Sequence, residues 1–235
     1  MTRPQVSVER DPAGFLRVLL ARPDRRNALN PAMAQELLAA LRSDEAAVIV
    51  LGSSDPRAFC AGADLGIDDA GRAVVSDLLY QCYELMISRP GPVIAVVTGP
   101  AVGGGAQLAA AADLRVAGHA ARFRWTGPPS PQLAVGAWVL PALVGRGLAL
   151  ELTLTGRWVE AQEAADRGLV NWIDDEPGRL AMELATSLLA RGQAAAGQVK
   201  HVASAGGLLE RLRAERAANH AAWAALPSPS AGGSE

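Results

Sequence analysis

The sequence predicts an α/β fold with largely parallel strands, followed by a helical C-terminal region. Short apolar runs alternate with amphipathic stretches in the first half, and glycine-rich turns follow the runs. The second half carries helical periodicity and no clean strand pattern. This order of patterns is typical of α/β proteins. The chain has 235 residues, half of them hydrophobic, which is enough for one large domain.

The first elements are a β-hairpin and a capped helix. Residues 5–10 and 15–21 are short alternating runs on either side of the turn "DPAG", as in a hairpin. Asn30 is a predicted N-cap, with Pro31 at the first helical position. The apolar residues that follow recur with helical spacing and form one stripe: Met33, Leu37, Leu38 and Leu41.

Two buried strands and two helices complete the first half. Residues 47–53 and 92–99 are short apolar runs, as expected for buried parallel strands. Residues 72–88 have helical periodicity between them. The segment "GPAVGGGAQLAAAADLRVAG" supplies a turn, a helix and a further strand. A β-α-β-α-β order predicts parallel strands joined by crossover helices.

The second half is predicted to be mostly helical. The predicted helices cover residues 148–155, 161–167, 178–190, 194–203 and 208–225. The expected organisation is an α/β core over residues 1–146 and a helical region over 147–226. The polar tail, residues 227–235, has the Pro/Gly/Ser composition of a disordered segment.

Composition excludes several classes of function. The net charge is −2, so no basic field predicts binding to nucleic acid or to an anionic membrane. No apolar run is long enough to span a bilayer, and the N-terminus lacks a signal-peptide core. The two cysteines, Cys60 and Cys82, match no metal or redox spacing, which favours a reduced cytoplasmic protein.

Two glycine-containing loops are the first candidates for a site. Residues 58–65 and 101–108 each follow a predicted strand at the same edge of the sheet, where parallel sheets bind ligands. Glycine lets a backbone approach a ligand closely, so N–H groups of both loops could bind one oxyanion. Equally, the glycines could serve only to pack a helix tightly on the sheet. The sequence matches neither a Walker loop nor the dinucleotide-binding fingerprint.

These two loops, with "RPDRRNALN" (residues 22–30) and "LTLTGRWVEAQEAADRGLVN" (152–171), resemble the enoyl-CoA hydratase/isomerase family, the crotonases. The resemblance covers residues 8–200. It implies a spiral of β-β-α units with a helical C-terminal trimerisation region, in trimers or hexamers. It also implies a coenzyme A thioester as substrate or ligand, and no permanently bound cofactor.

The resemblance assigns roles to individual residues. Ala63 and Gly104 would supply the oxyanion-hole N–H groups that hold the thioester oxygen. Trp125 and Trp138 would lie beside the acyl group, although a core position is the alternative for both. With the tryptophans, four residues predict an apolar pocket: Pro128, Pro129, Leu133 and Val135. The expected coenzyme A contacts are Arg25, Arg26, Ala28, Ala61, Asp64, Leu65 and, from a neighbouring subunit, Lys200, the only lysine.

The sequence departs from the family at both catalytic glutamates. Gln107 stands at the first position, and the second falls at or near Gly127. No Asp or Glu occurs between Asp113 and Glu151, so no shift of register restores the second acid. A carboxamide neither gives nor takes a proton at accessible pH, so efficient hydration by the standard mechanism is not expected.

Three functions remain open at this point. The first is an acyl-CoA-binding protein that stabilises a thioester enolate through its oxyanion hole. The second is a non-catalytic acyl-CoA carrier or helper. The third is a true hydratase or isomerase with relocated acids, for which Asp68, Asp69 and Glu84 are candidates, unless they are surface charges. The segment "TGP" also resembles dihydroxynaphthoyl-CoA synthases, which can recruit bicarbonate as a base, but the other loop differs from theirs.

Overall fold

Two β-sheets form the framework of the protein. The computed structural model describes residues 4–45, 47–127 and 133–226. Within these ranges a six-stranded sheet has the order β1-β2-β3-β4-β6-β9, and a three-stranded sheet has the order β5-β7-β8. The strands are β1 (Val6–Arg10), β2 (Leu16–Leu20), β3 (Ile49–Ser53), β4 (Val93–Val97), β5 (Pro100–Val102), β6 (Leu114–Ala117), β7 (Arg122–Arg124), β8 (Val159–Glu160) and β9 (Trp172–Ile173).

The large sheet is parallel apart from its first hairpin. β1 and β2 pair antiparallel, with Val8 opposite Val18, which confirms the predicted hairpin. Every later neighbour in this sheet runs parallel, from β2 and β3 to β6 and β9. The predicted parallel α/β core is therefore confirmed.

Helices cover both faces of the large sheet. They are α1 (Pro31–Arg42), α2 (Asp69–Ser88), α3 (Gly104–Ala111), α4 (Leu140–Val144), α5 (Arg146–Thr155), α6 (Ala161–Asp166), α7 (Pro177–Ala190), α8 (Gln193–Ser204) and α9 (Leu208–Ala224), with a 3-10 turn at Pro23–Arg25. The Asn30 side chain accepts a hydrogen bond from the Met33 N–H at 2.9 Å, which confirms the predicted cap of α1. Among the described residues, no helix combines the length and the hydrophobicity that a bilayer-spanning segment needs.

The sheet separates two hydrophobic cores because successive strand residues point to opposite faces. All five residues of β4 are buried. Ile94 and Val96 pack with Ala181 and Ala185 of α7 on one face. Val93, Ala95 and Val97 belong to the larger core on the other face. This explains why the strand reads as a continuous apolar run instead of an alternating one.

The short strands and α4 have no counterpart in the sequence prediction. β8 and β9 are two residues long and α4 spans five, so all three are too short to show a periodic hydrophobic pattern. β8 pairs with β7, and β9 pairs with β6. The region 147–226, predicted to be mostly helical, thus adds a strand to each sheet. The predicted tail, 227–235, lies outside the described residues.

Candidate active site

A cavity of about 220 Å³ lies where the two glycine-containing loops meet helices α2, α3 and α9. The loops contribute Ala63 and Gly104 to its wall. Helix α2 contributes Leu79 and Tyr80, and Trp223 of α9 closes another side. Most of the wall is apolar, which suits an acyl chain.

Backbone pairing holds the two loops side by side. Residue Cys60 forms a parallel bridge with Ala101, and the Val102 N–H donates to the Cys60 carbonyl at 2.9 Å. The next turn of the first loop is pinned by Leu29, whose N–H donates to the Gly62 carbonyl at 2.7 Å. Gly62 has φ +88°, which permits this turn. The structure therefore brings together the two loops that the sequence predicts at one sheet edge.

Two backbone donors on this wall are unpaired. Among the described residues, neither the Ala63 N–H nor the Gly104 N–H has a hydrogen-bond acceptor, although the adjacent Asp64 N–H donates to Leu29 at 2.9 Å. Gly104 is the first residue of α3. The first N–H groups of a helix lack intrahelical acceptors, and the helix dipole is positive there. Both features suit an oxygen that carries negative charge.

The three consecutive glycines also serve packing. A Cβ at Gly105 would lie 2.5 Å from the Cys60 Cβ and 2.6 Å from the Cys60 carbonyl oxygen. Gly103 has φ +53°, and a Cβ there would lie 2.7 Å from the Thr126 carbonyl oxygen. The sequence leaves open whether these glycines bind a ligand or pack a helix. The structure is compatible with both, because Gly105 packs the helix while Gly104 faces the cavity.

Gln107 is held by a tryptophan. Its side chain is buried, and its Oε1 accepts a hydrogen bond from Trp138 Nε1 at 2.7 Å. An indole N–H can only donate, so the oxygen and not the nitrogen of the carboxamide faces Trp138. Within the described residues the amide nitrogen of Gln107 has no partner. Gln107, expected at the first glutamate position, thus offers N–H donors at the cavity wall and no acidic group.

No carboxylate lies in the described wall of the cavity. Gly127, at or near which the second glutamate position is expected, lines the cavity without a side chain. The three acids considered as replacements lie elsewhere. Asp68 caps α2 by accepting from the Gly71 N–H at 2.8 Å, Asp69 pairs with Arg72, and Glu84 pairs with Arg213.

The residues expected to contact coenzyme A surround the cavity mouth only in part. Ala61 and Leu65 line the cavity, and Leu65 is 73% exposed. Burial by itself raises the pKa of the Asp64 carboxyl, but hydrogen bonds from the Gly66 N–H and Arg22 outweigh it and hold that pKa below its ordinary value. That carboxylate is therefore engaged in shaping the loop.

The strand-to-helix segment before α1 supplies the other expected contacts. Arg25 and Arg26 are exposed, and their side chains form no hydrogen bond or ion pair within the described ranges. Ala28 is buried next to Leu29, which pairs with the Ala63 loop. Both guanidinium groups are thus available to an anionic ligand.

Lys200 is not placed to bind a phosphate. It is 7% exposed, and its ammonium donates to the Asp113 carboxylate at 2.8 Å and to the carbonyls of Met86 at 2.6 Å and Gly91 at 3.3 Å. An ammonium has three donors, and all three are used within the same chain. The expected contact with coenzyme A is therefore corrected: Lys200 ties α8 to the turn before β6.

Both tryptophans occupy core positions. Trp125 stacks on Phe123 with ring centroids 6.1 Å apart, and Trp138 stacks on Tyr83 at 5.7 Å. Each is 1% exposed, and neither ring lines the cavity. The expected placement beside the acyl group is corrected to the core alternative. Leu133 and Val135 do line the cavity, and Pro128 and Pro129 lie outside the described residues.

A buried polar cluster behind the cavity was not identified from the sequence. The Tyr80 hydroxyl donates to Glu215 Oε1 at 2.7 Å, and Asn219 Nδ2 donates to the same hydroxyl oxygen at 2.7 Å. Glu215 also accepts from the N–H groups of Gly136 and Trp138. Burial raises the pKa of Glu215 to about 7. Helix α9 carries many charges, so Glu215 has the local pattern of a solvated residue.

Comparisons with known proteins agree with this architecture. Residues 10–229 match the family model described as enoyl-CoA hydratase/isomerase. A protein of Mycobacterium tuberculosis named "Probable enoyl-CoA hydratase" is 39% identical over 164 residues, which span 67% of this chain and 66% of that protein.

Solved structures extend the similarity over nearly the whole chain. An enoyl-CoA hydratase from Bacillus anthracis superimposes with a TM-score of 0.80 at 30% identity, covering 92% of this chain and 89% of that one. An enoyl-CoA hydratase/isomerase from Mycobacterium paratuberculosis gives a TM-score of 0.83 at 28% identity, with 94% of both chains covered. The chain belongs to the enoyl-CoA hydratase/isomerase family, with the crotonase fold.

Proposed function

We propose that the protein binds an acyl-CoA and stabilises the enolate of its thioester, with weak or no standard hydratase activity. The observation that carries this proposal is a pair of unpaired donors, Ala63 N–H and Gly104 N–H, on the wall of an apolar cavity that holds no carboxylate in its described part. Negative charge collects on the thioester oxygen when an α-proton leaves. Backbone donors stabilise that charge without needing a metal.

The wall has what enolate stabilisation needs and lacks what hydration needs. Losing one oxyanion donor typically costs about 2.7–4 kcal/mol in the transition state. Hydration also needs a base for water and an acid for the α-carbon, which together are typically worth about 10²–10⁴-fold. Gln107 supplies neither, and Gly127 has no side chain.

The proposal extends to the ligand and the assembly. Arg25 and Arg26 would bind the phosphates of coenzyme A, and the backbone near Ala28, Ala61, Asp64 and Leu65 would contact the rest of it. No cofactor is bound permanently. The chain would form homotrimers or hexamers through residues 147–226, in the cytoplasm, where its two free cysteines stay reduced.

A non-catalytic carrier is the competing function, and the cavity wall favours it, because its described part holds no carboxylate to move a proton. Two measurements separate the possibilities. Titration calorimetry with a panel of acyl-CoAs reports binding, and NMR in D₂O reports exchange of the α-protons of a bound saturated acyl-CoA. We expect binding, α-proton exchange, and little hydration of crotonyl-CoA. Binding without exchange would support the carrier.

Gly104 permits a matched test of the donor. Proline is favoured at the first position of a helix and has no N–H, so Gly104→Pro removes the donor while α3 can still form. Gly104→Ala is the control, since its Cβ meets the same Leu79 methyl at 2.7 Å but the N–H remains. We expect Gly104→Pro to slow α-exchange about 10²-fold relative to Gly104→Ala. Equal rates would refute the oxyanion hole.

Two further outcomes would contradict the proposal. Rapid hydration of crotonyl-CoA that a change of Asp68, Asp69 or Glu84 abolishes would support relocated acids instead. Failure to bind any acyl-CoA would remove the proposal altogether.

A further inference from the structure

We propose that the Tyr80 hydroxyl, hydrogen-bonded to Glu215, removes and returns the α-proton of the bound acyl-CoA. This inference rests on the proposed function, because a residue that removes the α-proton has a role only if the bound thioester forms an enolate. Tyr80 would supply the proton-transfer group that Gln107 and Gly127 do not. It lines the same cavity as Ala63 and Gly104.

Tyr80 is the cavity residue with a buried acid behind it. Its hydroxyl hydrogen is directed to Glu215 Oε1 at 2.7 Å, and one lone pair accepts from Asn219 Nδ2 at 2.7 Å. A hydroxyl oxygen has two lone pairs, so one is left unused by the described residues. Asn219 also lines the cavity and fixes the orientation of the hydroxyl.

Tyr80 is linked to the proposed oxyanion hole through Tyr83, its neighbour on α2. Its ring meets the Tyr83 ring edge-on, with centroids 5.6 Å apart. The Tyr83 hydroxyl donates to the Gly104 carbonyl at 3.0 Å, and Leu79 is the side chain nearest to Gly104. The face of α2 that carries Tyr80 therefore packs directly on the start of α3.

Glu215 is a buried carboxylate, and Tyr80 is its one side-chain donor within the described part of the chain. It is 5% exposed, and its carboxylate accepts from Tyr80 and from the N–H groups of Gly136 and Trp138. Burial raises its pKa to about 7, so the carboxylate can both take and release a proton near neutral pH. The cations on α9 are engaged elsewhere: Arg213 with Glu84, Arg216 with Asp77, and Arg211 with the Trp138 carbonyl, while His220 lines a neighbouring cavity.

The transfer balances without a further reactant. The Tyr80 oxygen takes the α-proton as its own hydroxyl proton passes to Glu215, and the electron pair of the C–H bond becomes the enolate. The products are the enolate on the Ala63 and Gly104 donors, a neutral Tyr80 and a protonated Glu215. Burial raises the pKa of Tyr80, so a concerted transfer avoids a free phenolate. The reverse step returns the Tyr80 hydroxyl proton to the α-carbon, and this proton is deuterium once that hydroxyl has exchanged with D₂O while the enolate is bound.

A structural role is the alternative, because the same bonds join α9 to α2 and to the segment 134–138. Two variants separate the roles. Tyr80→Phe removes the hydroxyl, and Glu215→Gln keeps an oxygen that accepts from Tyr80 but cannot take a proton. Asp77→Asn is the matched control, since it breaks the Arg216 ion pair between the same two helices. Circular dichroism and calorimetry verify folding and acyl-CoA binding for each.

The test is α-proton exchange of butyryl-CoA in D₂O, followed by NMR on the full-length protein. We expect Tyr80→Phe and Glu215→Gln to slow exchange by about 10²-fold or more, with Kd changed less than about threefold. Asp77→Asn should match the wild type. Across about pH 5.5–8.5 the wild-type rate should rise as Glu215 ionises, and Glu215→Gln should lack this rise.

Each result has one meaning. Exchange by the wild type that persists in Tyr80→Phe, or a pH profile that Glu215→Gln leaves unchanged, overturns the inference and leaves the proposed function intact. Binding without wild-type exchange removes the enolate function, and the inference with it. Loss of exchange in both variants with binding retained supports the inference.

Discussion

Because burial raises the pKa of Glu215, its carboxyl should make the stability of the protein depend on pH. The ordinary value is 4.5, and the value in the folded protein is about 7. Each pKa unit corresponds to about 1.4 kcal/mol, so the difference is worth about 3 kcal/mol. The folded state holds this proton more tightly than the unfolded state does. Its contribution is therefore complete below about pH 4.5 and is lost as pH rises through about 7.

The assay is urea unfolding of the wild type and of Glu215→Gln at about pH 5 and about pH 8.5. The neutral amide does not titrate, so the stability of the variant relative to the wild type should rise by about 3 kcal/mol between these values. The difference in free energy of unfolding between the two proteins at each pH cancels the contributions of the titratable groups that both share. Asp55 and Glu163, whose pKa values hydrogen bonds from arginine lower, lose their contributions only at more acidic pH.

The control is Glu84→Gln, whose carboxylate pairs with Arg213 on the surface. Its stability should follow that of the wild type at both pH values. If the difference between wild type and Glu215→Gln is the same at about pH 5 and about pH 8.5, the carboxyl is not held at a raised pKa, and the reasoning from burial fails.

Three further predictions follow from the site and its support. Lys200→Met should lower the free energy of unfolding by about 3–5 kcal/mol, because it leaves Asp113 partly buried without its cation. The Kd for acyl-CoA should change less than about threefold in this variant. A Kd weakened about tenfold would show that Lys200 contacts the ligand. Gly105→Ala should cost about 1–3 kcal/mol in urea unfolding because its Cβ meets Cys60, whereas Gly178→Ala, with open space around it, should cost almost nothing. Gln107→Glu should raise crotonyl-CoA hydration by less than about tenfold, since Gly127 still supplies no second acid; a gain of about 10²-fold would show that one glutamate suffices.

Features set by neighbouring residues were predictable from the sequence. The hairpin, the Asn30 cap and the helices of the second half depend on turns, caps and periodicity over a few residues. The pairing of the two glycine loops was also predictable, because parallel strands end at one edge of the sheet. Strands of two or three residues, such as β8 and β9, carry no periodicity and were missed.

By itself the sequence determined the family, the α/β core, the pair of candidate donors and the absence of acid at positions 107 and 127. These depend on residue types and on spacing along the chain. Only the tertiary structure decided which polar groups meet. It placed Lys200 on Asp113, 87 residues away, instead of on a ligand, and it joined Tyr80 to Glu215 across 135 residues. Burial and pairing of a charged side chain depend on elements that pack from distant parts of the chain, and local sequence carries no record of that contact.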